Sequence, residues 1–107
     1  MVKIMMDMDE LTVKITGHAG TAPAGQDIVC AAVSTVYQWL IFSLEELSDQ
    51  KDCVKKLEYT QEPGDCRLYT VPKECGRIPV RQRFLFAREG FELIADNYPE
   101  NVKLEVY

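Results

Sequence analysis

Two segments of the chain alternate between apolar and polar residues, the pattern of a strand with one buried face. In the first, apolar residues stand at every second position: Leu11, Val13 and Ile15. A short β-prone run from Lys3 to Met6 precedes them, and residues 8–10 form a turn signal. The pattern predicts a β-hairpin at the N-terminus.

The second alternating segment follows the turn sequence Glu62-Pro63-Gly64-Asp65. Beyond this turn, Cys66, Leu68 and Thr70 alternate with Arg67, Tyr69 and Val71. Before the turn, a further β-prone stretch contains Val54, Leu57 and Tyr59. These residues predict a second hairpin, and a final strand is predicted around Val102, Leu104 and Val106.

Two other segments have helical periodicity. The first is predicted to begin after Asp27, a residue type that caps helix N-termini, and to run from Ile28 to about Leu47. It is apolar on most sides, and the acidic residues near its end oppose the helix dipole, so its last turn is expected to fray. In the second helix, Pro79 suits the first turn, Pro99 ends the segment, and one apolar stripe is formed by Val80, Phe84, Ala87, Phe91, Ile94 and Tyr98.

The predicted element order is therefore β-β-α-β-β-α-β. This order favours an α+β fold in which a sheet of about five strands carries two helices. A length of 107 residues is typical of one domain, so residues 1–107 are expected to fold around one core. Strand order does not follow from the pattern.

Composition excludes some classes of function. The formal net charge is −5, whereas proteins that hold nucleic acid through its phosphates need clustered Lys and Arg. The longest uncharged run, residues 28–44, contains several polar residues and is expected to be a buried helix rather than a membrane span. No secretory signal is visible at the N-terminus. The chain is accordingly expected to be cytoplasmic, with reduced cysteines, no membrane contact and no direct nucleic-acid binding.

The candidate chemistry lies in residues 17–34, GHAGTAPAGQDIVCAAVS. His18 is the only histidine, and Cys30 follows it after a loop rich in glycine and alanine. If Asp27 caps the helix, Cys30 is the third helical residue, where unpaired N–H groups and the helix dipole favour a thiolate. His18 then becomes a candidate base for a Cys30 nucleophile, and the same N–H groups become candidates for holding an oxyanion.

Structural roles explain the same residues equally simply. A cysteine in an apolar helix commonly serves packing, and a histidine beside glycine is commonly a loop residue. Asp27 can cap the helix, orient His18, or do both. Ser34, one turn beyond Cys30, can serve the site or bond to its own helix backbone. The other cysteines form no C-x-x-C pair, so neither a metal site nor a cofactor is predicted.

The string GHA, followed by a Gly/Pro loop and GQDIVCAAVS, resembles the signature of the ribosomal-processing cysteine protease family, Prp. The resemblance is concentrated in residues 17–34, and the element order agrees with it. It implies a small cytoplasmic homodimeric protease of bacteria that removes an N-terminal extension from a large-subunit ribosomal protein. Some phage relatives instead act on capsid or scaffold proteins.

The resemblance also implies roles for individual residues. His18 matches the general base of the family and Cys30 its nucleophile, while the positions that support the site correspond to Gly17, Asp27 and Ser34. The loop between His18 and Asp27 is expected to be mobile until it closes over an extended substrate; its expected substrate contacts are Ala19, Gly20, Gly25 and Gln26. Two other classes of function remain open at this point: a dimeric interaction module without catalysis, and a thiol redox protein.

Overall fold

The helices and strands follow the predicted order. The structure is a computed structural model that describes residues 1–18 and 27–107. In these ranges it contains five strands, two long helices and a short 3-10 turn at Glu74–Gly76. The elements are β1 (Val2–Asp7), β2 (Thr12–Thr16), α1 (Ile28–Lys51), β3 (Val54–Glu62), β4 (Asp65–Pro72), α2 (Arg77–Asn97) and β5 (Val102–Val106).

The five strands form one sheet in the order β3-β4-β2-β1-β5. The two hairpins, β1–β2 and β3–β4, are joined through an antiparallel pairing of β2 with β4. Strand β5 returns after α2 and pairs in parallel with β1, with Val2 opposite Val102. The start of β4 therefore lies beside the end of β2, where Thr16 is opposite Asp65.

One face of this sheet is buried under both helices. Ile4 on β1 lies opposite Ile15 on β2 and Leu104 on β5, and Val13 lies opposite Leu68, so the apolar positions of neighbouring strands coincide in register. The alternate positions, including Lys14 and Arg67, are exposed on the other face. Burial of one face fixes the register of every strand, because a shift of one residue would exchange the two faces.

Helix α1 begins where the sequence predicts and ends four residues later than expected. Leu44 and Leu47 are buried, so tertiary packing holds the last turns against the unfavourable placement of their acidic neighbours. Asp52 then adopts a left-handed conformation, and its N–H donates to the Leu47 carbonyl. Helix α1 is long and apolar enough to cross a membrane, a property that core helices of other proteins share. In this structure one face of α1 packs on the sheet.

Helix α2 begins at Arg77, two residues before Pro79. Proline is tolerated there because the N–H groups of a first helical turn have no acceptor inside the helix. The predicted stripe from Val80 to Ile94 is buried, which confirms the helical pattern. The prediction is wrong for Tyr98: the helix ends at Asn97, and Tyr98 has an exposed fraction of 39 %.

Candidate active site

An open cleft of about 740 Å³ lies at the N-terminal end of α1. Three segments form its walls: the end of β2, the first two turns of α1, and the turn that joins β3 to β4. The five positions predicted for the site all line it: Gly17, His18, Asp27, Cys30 and Ser34. The predicted loop contacts Ala19, Gly20, Gly25 and Gln26 lie outside the described residues.

Gly17 brings the end of β2 to the tip of the β3–β4 hairpin. Its N–H donates to the carbonyl of Gly64 over 3.0 Å. Gly17 has a φ of +87°, and a Cβ there would run into the carbonyl oxygen of Met1. A side chain is therefore excluded at this position both by the left-handed backbone and by the neighbouring strand.

His18 rests on Gly64. A Cβ added to Gly64 would lie 2.8 Å from Nε2 of His18, so the imidazole occupies the space beside the Gly64 Cα. Gly64 has a φ of +74° and follows Pro63, the combination that a type II turn requires. The imidazole remains exposed to solvent on its other side, where a substrate can reach it.

Asp27 and Cys30 form the helix cap that the sequence predicts. The Cys30 amide donates to Oδ1 of Asp27 over 3.0 Å, so Cys30 is the third residue of α1 and Asp27 is its N-cap. The thiol is partly buried, in the first helical turn. This position lies at the positive end of the helix dipole.

The helix cap limits which amides of the first turn are available to an oxyanion. The Cys30 amide is occupied by Asp27, and the Ala31 amide donates to the Asp27 carbonyl over 3.0 Å. The amides of Ile28 and Val29 are the first-turn donors that have no acceptor within the helix. Whether Asp27 also orients His18 stays a prediction, whereas its capping role is a feature of the structure.

Sequence reasoning missed the third wall of the cleft. It is formed by the tip of the β3–β4 hairpin, residues 61–66, together with Val2 and Ile15 from the sheet. The Glu62-Pro63-Gly64-Asp65 signal revealed a turn, but no local pattern says which part of the molecule a turn faces. The wall includes a second thiol, Cys66, whose pKa is raised chiefly by burial.

Metal chemistry has no preformed site in this part of the molecule. Among residues 1–18 and 27–107, no three His, Cys, Asp or Glu side chains are grouped so that they could hold a metal ion. The groups available for chemistry in the described cleft are two thiols, an imidazole, carboxylates, a hydroxyl and helix amides. This set suits nucleophilic acyl transfer, because it supplies a nucleophile, a proton carrier and donors for an oxyanion.

The sequence matches the family model described as cysteine protease Prp over residues 1–103. None of the curated proteins matches it. Among solved structures, the ribosomal processing protease Prp from S. aureus, with a covalently linked product peptide, is similar at a TM-score of 0.82 and 18 % identity, over 100 % of both chains. The same protease with a substrate peptide gives 0.76 and 19 %, again over 100 % of both chains. SMU.848 from Streptococcus mutans gives 0.65 and 29 %, over 98 % of this chain and 90 % of the other.

The contact between His18 and Gly64 predicts the effect of Gly64→Ala. The new Cβ occupies the place of the imidazole, so the ring must move, and the left-handed backbone adds about 1 kcal/mol of strain. Because His18 is the only histidine, NMR of untagged protein follows its ring directly; we expect Gly64→Ala to shift the His18 ring resonances.

Gly90→Ala is the matched control, since Gly90 lies on α2 and the atoms nearest to a Cβ there belong to Val36. It is expected to leave the His18 resonances in place. Unchanged resonances in Gly64→Ala would contradict the contact between the ring and the turn.

Proposed function

The chain belongs to the Prp family of cysteine proteases, and we propose that it is an endopeptidase that removes the N-terminal extension of a bacterial large-subunit ribosomal protein. The observation that supports this proposal is the meeting of His18 and Cys30 in one open cleft at a helix N-terminus. The end of β2 carries His18 and the first turn of α1 carries Cys30, and both residues line the cleft.

Cys30 is the proposed nucleophile and His18 the general base and acid. The Cys30 thiol loses its proton to His18, and the thiolate attacks the scissile carbonyl carbon. The C–N bond then breaks as His18 returns the proton to the leaving amine, which leaves a thioester on Cys30. Water attacks the thioester while His18 accepts a proton from it, and the C–S bond breaks to restore the thiolate.

The first turn of α1 supplies the electrostatic part of the mechanism. The amides of Ile28 and Val29, at the positive end of the helix dipole, are the donors proposed for the oxyanion. Asp27 carries a negative charge that opposes the thiolate, but its Oδ1 accepts the Cys30 amide, which offsets part of that charge. Ser34 lies one turn further along the same wall and is proposed to contact the substrate or Cys30.

An extended peptide is the substrate class that suits this cleft. The cleft is open to solvent, and its lining includes the apolar residues Val2, Ile15 and Val33. The S. aureus Prp structures were solved with a substrate peptide and with a covalently linked product peptide, so that protease accommodates peptides on the same fold.

The proposed active form is a cytoplasmic homodimer. The outer surfaces of both helices expose large apolar side chains that the monomer leaves uncovered: Trp39 and Phe42 on α1, and Ile78, Phe86 and Leu93 on α2. Exposed apolar surface of this kind is typical of protein–protein contact. The sequence resemblance supports a second copy of the chain as the partner.

Peptide cleavage tests the protease proposal. The substrate is a peptide that spans the N-terminal extension of the host's large-subunit ribosomal protein, and the products are read by mass spectrometry. We expect a single cut that Cys30→Ala abolishes and that His18→Ala slows by about 100- to 10,000-fold, because a general base contributes about that much. Cys75→Ala, which changes an exposed thiol outside the cleft, is expected to cleave at the wild-type rate.

The alkylation rate of Cys30 distinguishes the other outcomes. A reactive Cys30 without cleavage of this peptide would move the substrate to a phage-type capsid or scaffold protein. An inert Cys30 without cleavage would contradict catalysis and leave a binding module.

Sedimentation tests the dimer. The mass of the wild-type protein from sedimentation equilibrium is expected to be twice the 12.2 kDa mass of the chain. Phe86→Glu, which places a charge in the exposed apolar surface, is expected to give the monomer. Lys14→Glu, an exposed position on the sheet face that points away from both helices, is the control and is expected to remain a dimer. A monomeric wild-type protein at micromolar concentration would contradict the proposal.

A further inference from the structure

We infer that Tyr37 is a positioning residue for the proposed cleavage reaction, on which this inference rests: its hydroxyl fixes the β3–β4 hairpin to the helix that carries Cys30. Tyr37 lies seven residues after Cys30 on α1 and therefore on the same side of the helix. Nothing in the local sequence marks it, because a tyrosine in an apolar helix is expected to serve packing.

The hydroxyl of Tyr37 meets two backbone carbonyls of the hairpin. It lies 2.8 Å from the carbonyl oxygen of Thr60 and 2.8 Å from that of Arg67. Thr60 and Arg67 face each other in the β3–β4 register, so one proton donor serves both strands at the same level. Tyr37 has an exposed fraction of 0 %, and burial raises the pKa of its hydroxyl far above the usual value, which keeps the proton in place.

At this level β4 is paired with β2, where Lys14 lies opposite Arg67, whereas β3 is the outer strand of the sheet. Every residue from Glu58 to Glu62 on β3 is exposed, so the outer half of the strand buries little apolar surface. An outer strand that buries little apolar surface opens locally at low cost. The buried Tyr37 hydroxyl is thus the contact of the described residues that ties the hairpin's backbone directly to α1.

What lies beyond the Thr60–Arg67 pair is the wall of the cleft. Gln61 pairs with Cys66, Glu62 pairs with Asp65, and the turn ends in Gly64. Gly64 receives the Gly17 amide and supports the His18 ring. Displacement of the hairpin relative to α1 would therefore change the position of His18 relative to Cys30.

Tyr37→Phe tests this inference, because it removes the hydroxyl and keeps the ring. We expect kcat to fall by about 10- to 100-fold with a smaller change in KM, since an error of about 1 Å in placing a reacting group has an effect of that size. The His18 ring resonances are expected to shift in the same variant. Both measurements are made well below the Tm of the variant.

Tyr59→Phe is the matched control. The Tyr59 hydroxyl also joins β3 to α1, through Glu45 Oε1 at 3.2 Å, but it is exposed and bonds to a side chain. We expect less than a twofold change in kcat and no shift of the His18 resonances. If Tyr37→Phe fails to fold, the measurements are repeated in sucrose, which favours compact states.

Three outcomes are informative. A Tyr37→Phe variant with a lower Tm but wild-type kcat and unshifted His18 resonances would overturn the inference and leave Tyr37 a purely structural residue. If the wild-type protein cleaves nothing, the proposed function fails separately, and the His18 resonances alone decide the positioning role. A shift in Tyr37→Phe without one in Tyr59→Phe would then support it.

A second inference rests on a different observation, the contact between two thiols at the base of the same hairpin. We propose that Cys53 and Cys75 form a reversible disulfide. Their Sγ atoms lie 3.0 Å apart, in the chain that follows α1 and in the turn before α2. The backbone already holds them together, because the Lys73 amide donates to the Cys53 carbonyl over 2.9 Å and Gly76 packs against that carbonyl.

A low-molecular-weight disulfide such as oxidised glutathione is the oxidant in this proposal. One thiolate of the pair attacks it, forms a mixed disulfide and releases one glutathione thiolate, which takes up a proton. The second thiol attacks the mixed disulfide, forms the Cys53–Cys75 bond and releases a second glutathione. The protein thus loses two hydrogens, and two glutathione thiols are formed.

The test uses Cys30→Ala protein, so that the nucleophile proposed for the site does not interfere. We expect oxidised glutathione to consume two of the remaining thiols, to yield a peptide pair linked through Cys53 and Cys75, and to raise the Tm, because the bond closes a loop in the unfolded chain. Cys75→Ser in the same background is expected to show neither the linked peptides nor the higher Tm. Stable mixed disulfides, or three unreacted thiols in the Cys30→Ala protein, would overturn the proposal.

Discussion

The hydrogen bond from the Gly17 amide to the Gly64 carbonyl is the constraint on which the cleft depends. It joins the end of β2 to the tip of the β3–β4 hairpin, and it continues the β2–β4 pairing one step beyond the Thr16–Asp65 pair. Both glycines have positive φ, and both leave space that another group occupies: the Met1 carbonyl beside Gly17 and the His18 ring beside Gly64. A side chain at either glycine would displace a group that forms the site.

Local periodicity predicted the elements because each of them buries one face. The alternation in β2 and the stripe of α2 record burial directly, and both are confirmed. Local signals failed at the ends of elements. The acidic residues near Leu47 predicted a frayed end for α1, but the buried leucines there stabilise the last turns more than the dipole destabilises them. Tyr98 fits the helical spacing of the α2 stripe, but the helix ends one residue before it.

The site divides in the same way. Asp27 and Cys30 are joined by a local cap, so their arrangement could be predicted from residue type and spacing. The partners of Tyr37 lie 23 and 30 residues away, and the hairpin wall meets His18 across nearly fifty residues of chain, so no local pattern indicates either contact. The strand order is equally non-local. It follows from how two hairpins and a parallel return strand share one apolar face, which only the assembled sheet decides.

The parallel pairing of β1 with β5 has a practical consequence for handling the protein. The carbonyl of Met1 abuts Gly17 and Val2 lines the cleft, so the N-terminal end of β1 lies at the entrance to the site. Tyr107 pairs with Met6 and Met8 at the opposite edge of the molecule. An affinity tag fused ahead of Met1 would emerge where a peptide has to enter and would compete with it, whereas a tag after Tyr107 would leave the entrance clear.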